Sequence, residues 1–271
     1  MDFNCKVNNT MEEPIKIESW EKFEEELVRI NAETISLREE TQRHVDYPIF
    51  RGHSSSKWHL ESTLDRIQKG MRVSDYYRII ESVHKNIETC AGKKWEIDAE
   101  TTTIGFKLRA YEFSAYLRHN GFPSPLTDWT RSPYIAAYFA FRDVFSPRQP
   151  QEHVSIFVYR ESAGAGRSGW GDKPHICFPG PTISTDYKHY LQQSEYLFCV
   201  KEESIDKPVF ANYEDVPPHE NQDVLVKYNI PISEQQKVLR KLDSMNITAY
   251  SLFNSESSLM ETLAVRELFL K

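Results

Sequence analysis

No stretch of the chain approaches the roughly 18 consecutive apolar residues that mark a membrane-spanning helix, so none is expected. The N-terminal run MDFNCKVNNTMEEP has neither a basic start nor an apolar core, which argues against a secretory signal. Cysteine is scarce. Cys5, Cys90, Cys177 and Cys199 form no CxxC pair and no cluster with histidine, so free thiols in a reducing, cytoplasmic setting are expected and a structural zinc is not. No acidic cluster has metal-ligand spacing and no histidine pair is convincing, which sets a nuclease aside and leaves no metal expected. Internal repeats and low-complexity segments are missing too. The glycine-rich stretch AGAGRSGWGDKP at 163–174 lacks the GxxxxGK[ST] spacing of a phosphate loop. A net charge of -7 argues against broad binding to nucleic-acid backbones. It leaves room for a local basic cleft, since Arg51, His53, Lys57, His59 and Arg66 lie close together in the chain.

The 271 residues, 39% hydrophobic and 27% charged, suit a soluble globular chain with one large core or two small ones. Residues 19–31 read as a helix capped by Ser19, with Phe23, Leu27 and Ile30 at helical spacing. Ser36 to Asp46 is highly charged and predicted to face solvent. Tyr47 to Gly52 reads as a short strand, and 72–90 and 103–120 as helices. The run GFPSPLTDWTRSP reads as a turn-rich loop, after which Pro133 opens a helix whose Ala136, Ala137 and Ala140 permit close packing. Val154–Tyr159 and Leu197–Val200 read as strands, and two amphipathic helices joined by a short turn close the chain. The pattern is α+β, divided into an N-terminal helical extension over 1–46 and a domain over 47–271.

Three patches carry chemistry. In IFRGHSSSKW, Arg51 ends an apolar strand, where a guanidinium can clamp a phosphate or carboxylate, with His53 and Ser54, Ser55 and Ser56 as a polar rim. The plainer alternative is a surface arginine beside a serine turn. In PSPLTDWTRSPYIAAYFA, Trp129 can stack on a flat ring, Thr130 and Ser132 can bond a cofactor amide or hydroxyl, and Asp128 can orient Arg51 or Arg131. The alternative is a buried tryptophan and a helix cap. In QQSEYLFCV, Gln193 and Glu195 are two residues apart, which on a strand puts both on one face. A carboxylate beside an amide suits glycosidic cleavage; the alternative is a solvated strand end.

Taken in order, these patches and ITAYSLFNSESSL resemble the signatures of the FRG domain family, named for a Phe-Arg-Gly triplet, here Phe50, Arg51 and Gly52. They also resemble the arginine, Ser-Thr-Ser and Gln-x-Glu pattern of arginine-type ADP-ribosyltransferases. Here the second element is broken, with Trp129, Thr130 and Ser132 around Arg131. The resemblance implies an ADP-ribosyltransferase-like split β core with flanking helices, and NAD as co-substrate. It implies catalytic roles for Arg51, Gln193 and Glu195. Arg51, Gly52, His53, Trp129, Thr130, Ser132, Tyr134 and Tyr138 would hold NAD, and Asp128 and Gln193 would place the acceptor. That acceptor would be a macromolecule, nucleic acid slightly ahead of protein, for a bacterial toxin or defence enzyme restrained by an antitoxin or regulatory protein. A non-catalytic binding module and an NAD glycohydrolase are the alternatives.

Overall fold

The computed structural model describes residues 13–41, 45–97, 108–145, 152–164, 173–180, 183, 186–204, 207–217 and 222–271. In chain order the elements are β1 (Ile15–Lys16), α1 (Trp20–Thr41), β2 (Ile49–His53), α2 (Val73–Ala91), α3 (Tyr111–His119), β3 (Thr127–Thr130), α4 (Pro133–Phe141) and β4 (His153–Ser162). There follow β5 (His175–Cys177), α5 (Tyr187–Leu191), β6 (Ser194–Glu202), β7 (Pro208–Phe210), β8 (Gln222–Pro231), α6 (Gln235–Ser244), α7 (Ala249–Phe253) and α8 (Glu256–Leu268). The strands form one curled, mixed sheet in the order β1-β8-β4-β2-β3-β6-β5, with β7 also on β6. Among the described residues only β1 and β8 pair in parallel. The class is α+β, a half-barrel flanked by helices.

Alternation along β2 sorts its side chains to two faces. Phe50 joins Ile135, Val158 and Tyr228 in the cluster under α1, α4 and α6. Ile49 joins Trp129, Phe157 and Leu197 on the other face. A third cluster forms where α2 and α3 pack on Tyr196, Phe198 and Val200 of β6. Trp20, Phe23, Leu27 and Ile30 of α1 belong to the first cluster, because their spacing of three and four residues makes one stripe.

Several expectations change. Helix α1 runs to Thr41, ten residues past the predicted end, so part of the charged segment is helical. The stretch read as a turn-rich loop contains a strand, β3, paired with β6 through four registered positions, Thr127↔Leu197 to Thr130↔Ser194. A short helix, α7, stands between the two C-terminal helices, closed at its start by Thr248 and Ser251 bonding each other's amides. Pro133 does open α4, and Ser132 caps it by accepting from the Ile135 amide. Residues 103–107 of the helix expected over 103–120, and most of the 163–174 glycine-rich stretch, lie outside the described residues; α3 itself starts at Tyr111.

The sheet is weakly joined between β2 and β3, where the one registered pair is Phe50↔Thr130. β2 pairs with β4 over all five of its residues. Gly52 lies directly under α4. A Cβ there would stand 1.9 Å from the Ala136 carbonyl oxygen and 2.7 Å from the Ala140 amide nitrogen. Both are backbone atoms and cannot swing aside. Gly52→Ala is therefore expected to cost about 3 kcal/mol, the upper end of ordinary overpacking, read as a lower urea midpoint. A variant as stable as the parent would refute the close approach.

Candidate functional site

Beside the single β2–β3 contact lies a cleft of about 390 Å³, within the range of small-molecule sites. Its floor is Phe50, Arg51 and Gly52 of β2 with Asp128 and Thr130 of β3. Its sides are the end of α3, one face of α4, Lys188 and Gln192 around α5, and Phe253 of α7.

Arg51 is the centre of its polar network. Its side chain is 12% exposed. Its Nε donates to His53 Nε2 at 3.0 Å, and its Nη1 donates to the backbone carbonyl of Asp128. Only an unprotonated His53 nitrogen can accept that bond. Burial, then the Arg51 charge, pushes the His53 pKa well below its ordinary value. Burial also draws the Arg51 pKa down to about 10, opposed by Asp128, so the guanidinium stays charged at neutral pH.

Asp128 takes a 2.6 Å bond from Arg118 Nη2 on Oδ2, with Arg51 Nη1 3.9 Å away. Its other oxygen, Oδ1, is buried without a bonding partner; His119 Nε2 stands 4.0 Å from it. Burial pushes this carboxyl up, but Arg118, Arg51 and His119 outweigh that and hold it below the usual aspartate value. Among the described residues it is the one carboxylate lining the cleft, shared by two guanidinia, and Lys188 adds a further cation. Arg142 also lines the cleft but is held by Glu261 at 3.0 and 2.9 Å. The wall therefore keeps a net positive charge.

The other predicted residues fall in different places. Thr130 lines the cleft, its hydroxyl donating to the Gln192 carbonyl at 2.7 Å. His53 lies behind Arg51 rather than on the cleft wall. Trp129 borders the cleft, but its ring is buried against Tyr159 and its Nε1 donates to Thr127 Oγ1 at 2.9 Å, so it offers no open face for stacking. Tyr134 and Tyr138 point away, their hydroxyls directed to Glu24 and Glu261. Ser132 is spent on capping α4. Gln193 precedes β6 in a left-handed conformation, φ 48°, and is exposed. The strand alternation expected for Gln193 and Glu195 therefore does not hold. Glu195 is 1% exposed and bonds Arg131 Nε at 2.5 Å; it lines a separate cavity and not the Arg51 cleft. Arg51 and Glu195 are thus not brought into one site. Lys57, His59 and Arg66 do not line the cleft either. Its cations other than Arg51 come from Arg118, Arg142 and Lys188, which a reading of nearby sequence could not gather. Arg118 and His119 closing an amphipathic helix were the available signal.

Residues 46–149 match the FRG domain family. No curated protein and no solved structure gave a match. The matched segment runs from just before β2 to just past α4. It contains Arg51, Gly52, Arg118 and Asp128 and ends before Glu195. Each letter of the family's triplet has a physical place here: Phe50 in the core, Arg51 in the cleft, Gly52 under α4.

The depressed Asp128 pKa makes a stability prediction. A carboxyl more acidic in the folded than in the unfolded chain stabilises the fold above its ordinary value of 3.8, and that contribution is lost as pH falls below it. Asp128→Asn is expected to be less stable than the parent at pH 7, with the gap closing below 3.8. Urea unfolding across a pH series checks this; a gap constant with pH would contradict it.

Proposed function

We propose that the cleft binds the nucleotide NAD and that the protein transfers its ADP-ribose to a macromolecular acceptor. The observation that carries the reading is Arg51: a largely buried, oriented guanidinium at the gap between two strands, sharing one carboxylate with Arg118. An anion is the ligand such a wall favours, and the paired N–H groups of arginine suit phosphate oxygens.

In this reading Arg51 and Arg118 hold the diphosphate, and Lys188 guides it at the rim. His53, neutral, keeps Arg51 from rotating. The Asp128 carboxylate, whose side chain is 36% exposed, accepts from a ribose hydroxyl on its open side. The bond broken is the one between nicotinamide and the anomeric carbon. Asp128, held ionised by its arginines, opposes the positive charge that grows there. Thr130 and the Gln192 carbonyl keep the β3 and β6 ends in register beside it. The carboxylate assigned to the chemistry is thus Asp128, because Glu195 lies outside this cleft. A nucleic-acid acceptor slightly ahead of protein, a toxin or defence role and a restraining partner rest on the resemblance alone. A second reading, a non-catalytic nucleotide-binding module, is favoured by one observation: Asp128 Oδ2 is already committed to Arg118.

The test is NAD labelled on its adenylate phosphate, incubated with the protein and total cell extract. The expected result is label in one macromolecular fraction, reduced about 100-fold or more, the scale of losing a charge-stabilising group, in Arg51→Ala and Asp128→Asn. Both variants are checked for folding by circular dichroism. Nicotinamide release without label would replace transfer by hydrolysis. Neither release nor label would favour the binding module.

A further inference from the structure

Among the described aromatic side chains that line the Arg51 cleft, Trp58 is the exposed one. Phe50 and Trp129 are buried, at 4% and 3% exposure. Phe139 and Phe253 meet edge-on at 6.0 Å, and the Arg142 guanidinium lies 4.9 Å over the Phe253 ring. Trp58 is 43% exposed on the cleft wall. The stacking ring expected at Trp129 therefore has a replacement at Trp58.

The turn that carries this ring is pinned to the sheet. The Trp58 amide donates to the Ser55 carbonyl at 3.3 Å, and the Ser56 amide donates to the His153 carbonyl of β4 at 2.9 Å. Lys227 Nζ of β8 donates to the Ser56 carbonyl at 2.8 Å. The Ser55 hydroxyl accepts from the Lys57 amide at 3.2 Å, and Ser55 itself is 2% exposed. A ring on such a turn starts from an ordered backbone, so less freedom is lost when a ligand stacks on it.

Arg51 stands between this ring and Asp128. On one side its Nη1 donates to the Asp128 carbonyl and lies 3.9 Å from the carboxylate. On the other its Nε donates to His53, whose ring meets that of Trp58 with centroids 6.0 Å apart and planes at 62°. A diphosphate held on this guanidinium thus carries one nucleoside toward Asp128 and the other toward Trp58. We propose that Trp58 is the stacking platform for the base remote from the bond that breaks, the adenine ring. This rests on the reading that the cleft holds NAD with its scissile ribose at Asp128. An indole offers a broad aromatic face, and stacking on a purine needs no hydrogen bond from it. Trp58 positions the dinucleotide and takes no part in bond cleavage.

The test is titration calorimetry with ADP-ribose, which keeps the adenine, and with nicotinamide mononucleotide, which lacks it. The parent, Trp58→Ala, Trp58→Phe and Arg51→Ala are compared, each checked for folding by circular dichroism. Trp58→Ala is expected to weaken ADP-ribose binding about tenfold or more, the scale of losing one base stack. Trp58→Phe is expected to restore most of that loss. Nicotinamide mononucleotide is expected to bind Trp58→Ala as it binds the parent, which shows Arg51 undisturbed, and to be weakened by Arg51→Ala. Binding of ADP-ribose that depends on Arg51 but is indifferent to Trp58→Ala would overturn the inference and leave the cleft reading standing. Loss of nicotinamide mononucleotide binding in Trp58→Ala, alone or equally with ADP-ribose, would also overturn it. A parent that binds no ADP-ribose would end the cleft reading and this inference together.

Discussion

The contact between β2 and α4 at Gly52 sets the terms for everything around it. Here a strand backbone meets a helix backbone with no side chain between them, an approach that only glycine permits. The small face of α4, with Ala136 and Ala140, completes the fit. Two residues, Arg131 and Ser132, link the end of β3 to the start of α4. Seating the helix on β2 therefore also fixes where β3 must stop. β3 meets β2 at one registered pair and otherwise belongs to β6. The gap left beside that pair is the cleft, and Arg51, the neighbour of the constrained glycine, is the residue that reaches across it to the Asp128 carbonyl.

The electrostatics follow from that gap. A buried guanidinium is tolerated when its hydrogen bonds are met and a counter-charge is near. His53, the Asp128 carbonyl and the Asp128 carboxylate meet these needs for Arg51. Arg118 then competes for the same carboxylate from α3. The result is a site fixed in geometry yet short of negative charge, since Arg51, Arg118 and Lys188 face one aspartate. That deficit suits a ligand bearing anionic oxygens.

Much of the architecture was legible in the sequence where a local rule sufficed. The apolar run at β2, the Ser132-Pro133 start of α4 and the stripe on α1 each carry their signal within a few residues. The strand at β3 did not. Four residues flanked by Pro123, Pro125 and Pro133 look like a loop until β6, almost 70 residues later, supplies their ladder. The Gln193–Glu195 spacing misled for a related reason: alternation holds within a strand, and the left-handed Gln193 ends it one residue early. Arg51 was found from the apolar residues before it, although it lies in the middle of β2 and not at a strand end. Arg118 and Lys188 were not, because they reach the cleft through tertiary packing. Trp129 and Tyr138 were read as ligand-facing from their chemistry, whereas their burial is set by partners remote in sequence. The role of Gly52 depended on Ala136, which no local pattern could name.

On the function proposed above, the gap between β2 and β3 is the seat of a phosphate-bearing nucleotide. A crystal structure of the protein soaked with ADP-ribose tests it most directly. The diphosphate is expected against Arg51 and Arg118, with a ribose hydroxyl on the Asp128 carboxylate. ADP-ribose bound against Glu195 with the Arg51 cleft empty would contradict it.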